Sequence, residues 1–161
     1  MKQASSLDAI DAYWMRCAIA LSNKAQGLTS ENPNVGCVII DADGNLCASG
    51  YTQAGGRPHA EQVALEKAGT SANQATIYVT LEPCSHFGKT PPCARAIIEA
   101  GIKRVVVGII DPDTRVNGQG IDQLRQAGIR VEINVLGREV ADIMPSFLAR
   151  KKLMLDGLEP T

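Results

Sequence analysis

Four side chains in this sequence have types and spacing suited to metal-assisted hydrolysis. His59 and Glu61 stand in Pro58-His59-Ala60-Glu61, Cys84 ends Leu81-Glu82-Pro83-Cys84, and Cys93 ends Pro91-Pro92-Cys93. One imidazole nitrogen and two thiolates form a zinc ligand set that leaves the fourth tetrahedral position open to water. The two thiolates neutralise the dication, and the water becomes acidic enough to supply hydroxide near neutral pH. Glu61 is not a ligand in this scheme; its carboxylate carries the proton from the water to the leaving group. Residues i and i+2 of a helix point about 200° apart, so His59 and Glu61 can converge on one metal only at a helix end. Cys93 follows two prolines and so also sits at a helix start. The partial positive charge of two helix N-termini would favour the thiolates. The remaining cysteines, Cys17, Cys37 and Cys47, fall in apolar stretches and read as small core residues.

The elements that must hold these groups follow from periodicity. Residues 6 to 25 read as a helix, with Leu7, Ile10, Tyr13, Trp14, Cys17, Ala18, Leu21 and Ala25 at helical spacing, Ser5 or Ser6 as cap and Gly27 beyond its end. Residues 35 to 40 and 46 to 51 read as a hairpin, turning at Asp41–Asn45 with Gly44 at positive φ. A helix is expected over 59 to 68, a strand over 75 to 80, a polar loop over 81 to 92, and a helix from Pro91 or Pro92 to Ala100. Then come a buried strand over 105 to 110, a helix over 121 to 127, a strand over 129 to 135, and a helix over 138 to 152 kinked or split by Pro145. A hairpin followed by alternating helices and strands predicts an α/β fold: a mixed sheet between helices in one domain, residues 1 to 161 with a core over about 6 to 150.

Composition removes other classes. The chain has 161 residues, 45% of them hydrophobic, which suits one domain. Sixteen Lys and Arg against seventeen Asp and Glu give a net charge of -1, without the basic footprint of a nucleic-acid binder. Aromatics make up 4%, too few for a base-stacking platform. Apolar runs reach only about six residues, short of a membrane span. No signal peptide is visible, and five cysteines with two histidines read as reduced thiols and metal ligands in the cytoplasm rather than a disulfide framework.

The order H-x-E, then Glu-Pro-Cys, then Pro-Cys is the signature of zinc deaminases. The chain resembles, from about residue 12 to 148, the deaminase domain of the bifunctional riboflavin-biosynthesis deaminase/reductase. The strongest block is Thr80 to Cys93, TLEPCSHFGKTPPC, whose eight residues between the cysteines exceed the usual two of other deaminases. Asn32-Pro33-Asn34-Val35-Gly36 and Gly55-Gly56-Arg57-Pro58-His59-Ala60-Glu61 match as well. The resemblance implies a cytidine deaminase-like three-layer α/β/α sandwich with a mixed five-stranded sheet. It implies hydrolytic loss of an amine from 2,5-diamino-6-(5-phosphoribosylamino)pyrimidin-4(3H)-one. His59, Cys84 and Cys93 would hold zinc, and Glu61 would shuttle the proton. Asn32, His86 and Lys89 match residues lining the family's substrate site, Lys89 offering charge to the phosphoribosyl part. A homodimer or homotetramer is implied.

Departures concern the substrate. Thr52 stands where the family usually has a histidine expected to touch substrate. The loop Asp111-Pro112-Asp113-Thr114-Arg115-Val116-Asn117-Gly118 replaces the family's usual D-P-N-P-x-V-A-G. It lies at the carboxyl end of a strand, where open α/β sheets bind ligands. Asp111 and Asp113 therefore count among the substrate-site residues. Asp113 would repel a nearby phosphate, with Arg115 a candidate compensator. Gly118-Gln119-Gly120 reads as a turn before a helix rather than a dinucleotide fingerprint. Fourteen residues follow Phe147, so the expectation is a deaminase domain without a reductase, the reduction falling to a separate protein. The departures keep open a repurposed relative acting on another amino-pyrimidine, pterin or purine. A zinc-bearing scaffold without activity is disfavoured, because a structural site would usually carry four protein ligands.

Overall fold

The structure is a computed structural model that describes residues 6–29, 32–86, 91–113 and 117–155. Ser5, Lys89 and Arg115 lie outside the described residues. The elements run α1 (Ser6–Lys24), β1 (Gly36–Ile40), β2 (Leu46–Tyr51), α2 (Ala60–Ala68), β3 (Thr76–Leu81), α3 (Cys93–Glu99), β4 (Arg104–Ile109), α4 (Gln119–Gln126), β5 (Arg130–Glu132), α5 (Gly137–Asp142) and α6 (Pro145–Leu155). The five strands form one sheet in the order β2-β1-β3-β4-β5. β1 pairs antiparallel with β2 and β3, whereas β3, β4 and β5 run parallel.

Register assigns the helices to faces. Gly36 opposes Tyr51 and Cys37 opposes Gly50, and directly opposed residues share a face. A side chain at Gly36 would run into the Ala18 carbonyl of α1, and one at Gly50 into Ala60, Val63 and Ala64 of α2. α1 and α2 therefore cover opposite faces. Gly108 of β4 approaches Val140 of α5, and Arg16 of α1 pairs with Glu139 of α5 at 3.8 Å, so α5 lies with α1. α2, α3 and α4 touch in succession on the other side. Every residue of β1 is buried, as are all but one of β3 and of β4. These central strands are accordingly rich in Val and Ile, as strands covered on both faces require.

Two expectations need correction. The apolar stripe assigned to the first helix does not face the core along its whole length: Asp11, Met15, Ala18, Ser22 and Ala25 are buried, whereas Leu7, Ile10 and Tyr13 are exposed. Close approach of β1 at Gly36 demands small residues on the helix, and Asp11 is needed by Arg104 of β4, paired through both carboxylate oxygens at 2.8 and 2.6 Å. The last strand ends at Glu132 instead of 135, because Asn134 and Leu136 take φ of 61° and 55° and turn the chain away. Pro145 does split the last helical stretch, into α5 and α6. The hairpin turn behaves as expected: Gly44 has φ 87°, and Asp41 Oδ1 accepts from the Asp43 and Asn45 N–H groups, both at 2.9 Å. Of the three cysteines read as core, Cys37 is fully buried, while Cys17 and Cys47 are half-buried against the core.

Candidate active site

His59 is the N-cap of α2, with extended φ/ψ of -69° and 159°. Because it is not itself helical, its ring turns toward the same point as Glu61, which sits in the first turn. The Gln62 Oε1 accepts the His59 N–H at 3.4 Å and steadies this corner. Cys84 follows β3, and Cys93 is the first residue of α3, with Pro92 as N-cap. The Cys93 N–H donates to Cys84 Sγ at 3.1 Å. His59 Nδ1 lies 3.9 Å from Cys84 Sγ and 3.5 Å from Cys93 Sγ. The three donor atoms all fall within 4.8 Å of one another. One imidazole nitrogen and two sulfurs at this separation fit a zinc ion with one open coordination position.

Electrostatics support the donor assignment. The Cys84 thiol is lowered to about 4, chiefly by its hydrogen bond with Cys93 and further by His59 and the Cys93 N–H. Cys93 is pushed up, foremost by that same hydrogen bond, since two bare thiolates side by side repel without a cation between them. Glu61, only 4% exposed, is raised to about 7 by burial and then by the Cys84 thiolate. A carboxyl raised in the folded state stabilises it at low pH, and that stability is lost as pH rises from the unfolded pKa through the folded one. With an ordinary value of 4.5 against about 7, the ceiling is roughly 3 kcal/mol. In the metal-free protein, Glu61→Gln should therefore gain in melting temperature over wild type between pH 5 and pH 8. Equal differences at both pH values would count against a buried, strained carboxylate.

His59, Cys84 and Glu61 line a cavity of roughly 420 Å³ together with Asn32, Thr52, Arg57, Glu82, His86, Asp111, Phe147 and Lys151, with Cys93 buried behind them. The cavity opens at the carboxyl ends of β3 and β4. Comparison with known proteins settles the affiliation. The profile of the cytidine and deoxycytidylate deaminase zinc-binding region matches residues 8–109. The chain belongs to this zinc-dependent deaminase family. A riboflavin biosynthesis protein RibD from Aquifex aeolicus is 47% identical over 86% of this chain, which spans 38% of that relative. A diaminohydroxyphosphoribosylamino-pyrimidine deaminase from Buchnera aphidicola of Schizaphis graminum is 44% identical, over 88% of this chain and 96% of its own length. Among solved structures, RibD of Acinetobacter baumannii superposes with a TM-score of 0.88 at 46% identity, covering 91% of this chain and 41% of that one. The fold of this deaminase-family chain is thus the cytidine deaminase-like α/β architecture.

The structure brings most of the substrate-site candidates of this deaminase to one cavity. Asn32 is fixed by Gly56, whose φ of 95° and missing side chain leave room for the Asn32 amide; a Cβ there would collide with it. Thr52 lines the cavity but is 2% exposed. Its hydroxyl accepts from Val35 N–H at 2.9 Å and donates to the Pro33 carbonyl at 3.2 Å. Threonine therefore latches the Asn32–Val35 loop, using its only donor on backbone. His86 is exposed at the rim. Asp111 lies on the wall, and its Oδ1 accepts the Asp113 N–H at 2.9 Å. Asp113 is buried behind that wall, with Oδ2 3.2 Å from Lys151 Nζ. The sequence offered Arg115, outside the described residues, as compensator for Asp113; Lys151 supplies a counter-charge from α6. Asn117 is exposed and donates to the Asp111 carbonyl at 2.9 Å.

Glu82 has a role that the motif alone did not expose. Its Oε1 accepts the Asp111 and Gly118 N–H groups at 3.1 and 3.0 Å, and its Oε2 accepts Gly120 N–H at 3.0 Å. One buried carboxylate thus pins the loop after β4 to the strand that carries Cys84. Gly120 has no side chain because a Cβ would strike the Pro83 carbonyl. Glycine at 118 and 120 therefore shapes this clamp. Glu82→Gln turns one acceptor into a donor facing an N–H, a cost of roughly 1–3 kcal/mol. The variant should melt lower and bind substrate more weakly, with zinc content unchanged. A melt and KM equal to wild type would remove Glu82 from loop positioning.

Proposed function

We propose that this deaminase hydrolyses the amine of 2,5-diamino-6-(5-phosphoribosylamino)pyrimidin-4(3H)-one, giving the 5-aminouracil product and ammonia. The observation that carries the deaminase chemistry is the convergence of His59, Cys84 and Cys93 beside a buried Glu61 at one end of the cavity that His59, Cys84 and Glu61 line. The substrate reading is supported by 44% identity over 96% of a relative bearing the corresponding deaminase name. A cavity of roughly 420 Å³ is in the range that encloses a small-molecule ligand.

Zinc, when bound, supplies Lewis-acid activation of a water molecule. His59, Cys84 and Cys93 would hold the metal from two helix starts and one loop. Glu61 takes a proton from the attacking water and passes it to the ring nitrogen. As the carbon–nitrogen bond breaks, Glu61 delivers the second proton to the departing amine, so that water and amine become carbonyl and ammonia. Burial of Glu61 keeps the carboxyl near the pH at which it must both accept and give a proton. Asn32 suits the ring edge, because an amide donates and accepts at once. Lys89 is assigned to the phosphoribosyl side by the same resemblance. The working unit is a homodimer or homotetramer in the cytoplasm.

Ammonia release from a panel of the diaminopyrimidine phosphate, its dephosphorylated form, cytidine, adenosine and guanine tests the assignment. Turnover chiefly of the phosphate is the expected outcome. Turnover of another member alone would transfer the enzyme to the repurposed reading, which the backbone-engaged Thr52 hydroxyl would then favour.

A further inference from the structure

We infer that Lys151 is a specificity-determining residue of this pocket: held at the cavity wall by Asp113, its ammonium takes an oxygen of the substrate's phosphate. This rests on the proposed phosphoribosyl substrate and adds a residue that the family motifs do not contain. Among the described residues, the Lys and Arg side chains on the cavity wall are Arg57 and Lys151. Arg57 stands two residues before the metal histidine. Lys151 enters from α6, beside Phe147, and its ammonium meets Asp111 and Asp113 of the loop after β4 that Glu82 clamps.

Its position is fixed from several directions. Asp113 Oδ2 lies 3.2 Å from Lys151 Nζ, and Asp111 Oδ1 lies 3.9 Å away. The ammonium also stands 5.7 Å from the centre of the Phe147 ring, within cation–π range. The Asp113 side chain is 3% exposed, and a carboxylate so buried needs a counter-charge that stays in place. Lys151 therefore loses its rotamer freedom on folding rather than on binding, which lowers the cost of recognising a ligand. An ammonium has three N–H donors, and Asp113 takes one. Lys151 neutralises Asp113, so of the two aspartates beside it only Asp111, whose Oδ1 accepts the Asp113 N–H, keeps an unmatched charge. Asp111, on the same stretch of wall, suits sugar hydroxyls as an acceptor. A hydroxyl acceptor next to an ammonium is the chemistry that a ribose phosphate requires.

The test uses the zinc-loaded full chain and the double variant Asp113→Asn/Lys151→Met, which removes both charges and leaves no buried ion unpaired. Two readouts are taken: the ratio of kcat/KM for phosphorylated over dephosphorylated diaminopyrimidine, and the affinities for D-ribose 5-phosphate and D-ribose by calorimetry. The expected result is at least a tenfold fall in the kcat/KM ratio and a tenfold weaker D-ribose 5-phosphate affinity, with D-ribose unchanged. Lys151→Arg should keep the preference. Should the double variant fail to fold, Lys151→Gln, which can still donate to Asp113, takes its place with the same expectation. A ratio and a sugar-phosphate affinity both within twofold of wild type overturn the inference. If wild type turns over neither pyrimidine, the proposed substrate fails, and the calorimetric arm decides Lys151 separately. Wild type binding D-ribose 5-phosphate no better than D-ribose would then overturn it.

Discussion

Glu61→Gln is expected to keep a full complement of zinc and a native fold while losing about 10²–10⁴-fold in kcat. The glutamine is isosteric, and the three metal donors, His59, Cys84 and Cys93, are untouched. Its carbonyl oxygen can still accept the hydrogen bond that Glu61 shares with Cys93. What disappears is the ability to take a proton and return it. The loss should therefore fall on kcat, with KM moving little, the pattern of an interaction needed only in the transition state. Metal content by elemental analysis and ammonia release under saturating substrate decide the matter. A variant that binds zinc and turns over within tenfold of wild type would take Glu61 out of the proton path. Loss of zinc along with activity would instead make Glu61 part of the metal's support.

The chemistry of this site was legible because it is local. His59 and Glu61 are two residues apart, and the only geometry that lets them converge is a helix end, which the structure realises with His59 as N-cap. The Pro-Cys step likewise placed Cys93 at the start of α3. The hairpin, the glycine stops and the split at Pro145 are also short-range, each set by one residue's allowed φ or missing N–H. What stayed hidden is what depends on distant partners. Glu82 read as part of a metal motif, yet its three acceptor bonds reach residues 29 to 38 positions further on. Asp113 read as a charge facing substrate, because nothing in its own loop announces Lys151, 38 residues away. The first helix misled for the same reason. Its periodicity favours Leu7, Ile10 and Tyr13 for the core, but β1 approaches so closely at Gly36 that Ala18 and Ser22 must face it.

The second large effect comes from that same helix face, and it concerns stability rather than catalysis. Asp11 is buried under α1 with Arg104 of β4 and Tyr78 of β3. Tyr78 Oη donates to Asp11 Oδ1 at 2.8 Å, and Arg104 forks across both Asp11 oxygens while its Nη2 also meets Glu132 Oε1 of β5 at 2.6 Å. The guanidinium thus ties β4 and β5 to α1, and Tyr78 adds β3 through Asp11. Burial and the Asp11 carboxylate hold the Tyr78 hydroxyl protonated, its pKa pushed well up. The Arg104 pKa is likewise raised, first by its hydrogen bond to Asp11. Asp11→Ala removes the only partner of this set that accepts from both Arg104 and Tyr78. It leaves a cation whose side chain is 9% exposed with half its neutralisation gone. Breaking a buried pair from one side costs about 3–5 kcal/mol, a large fraction of the about 5–15 kcal/mol that a domain usually has. Asp11→Ala should therefore unfold at far lower denaturant, and a double variant Asp11→Leu/Arg104→Met should recover much of the loss, because it removes the stranded charge as well. Urea titrations of the single and double variants read this directly. Equal midpoints for the single variant and wild type would show that water screens Arg104 well enough to make the pair dispensable. A double variant no better than the single would place the loss in the strand and helix packing that the pair holds in register.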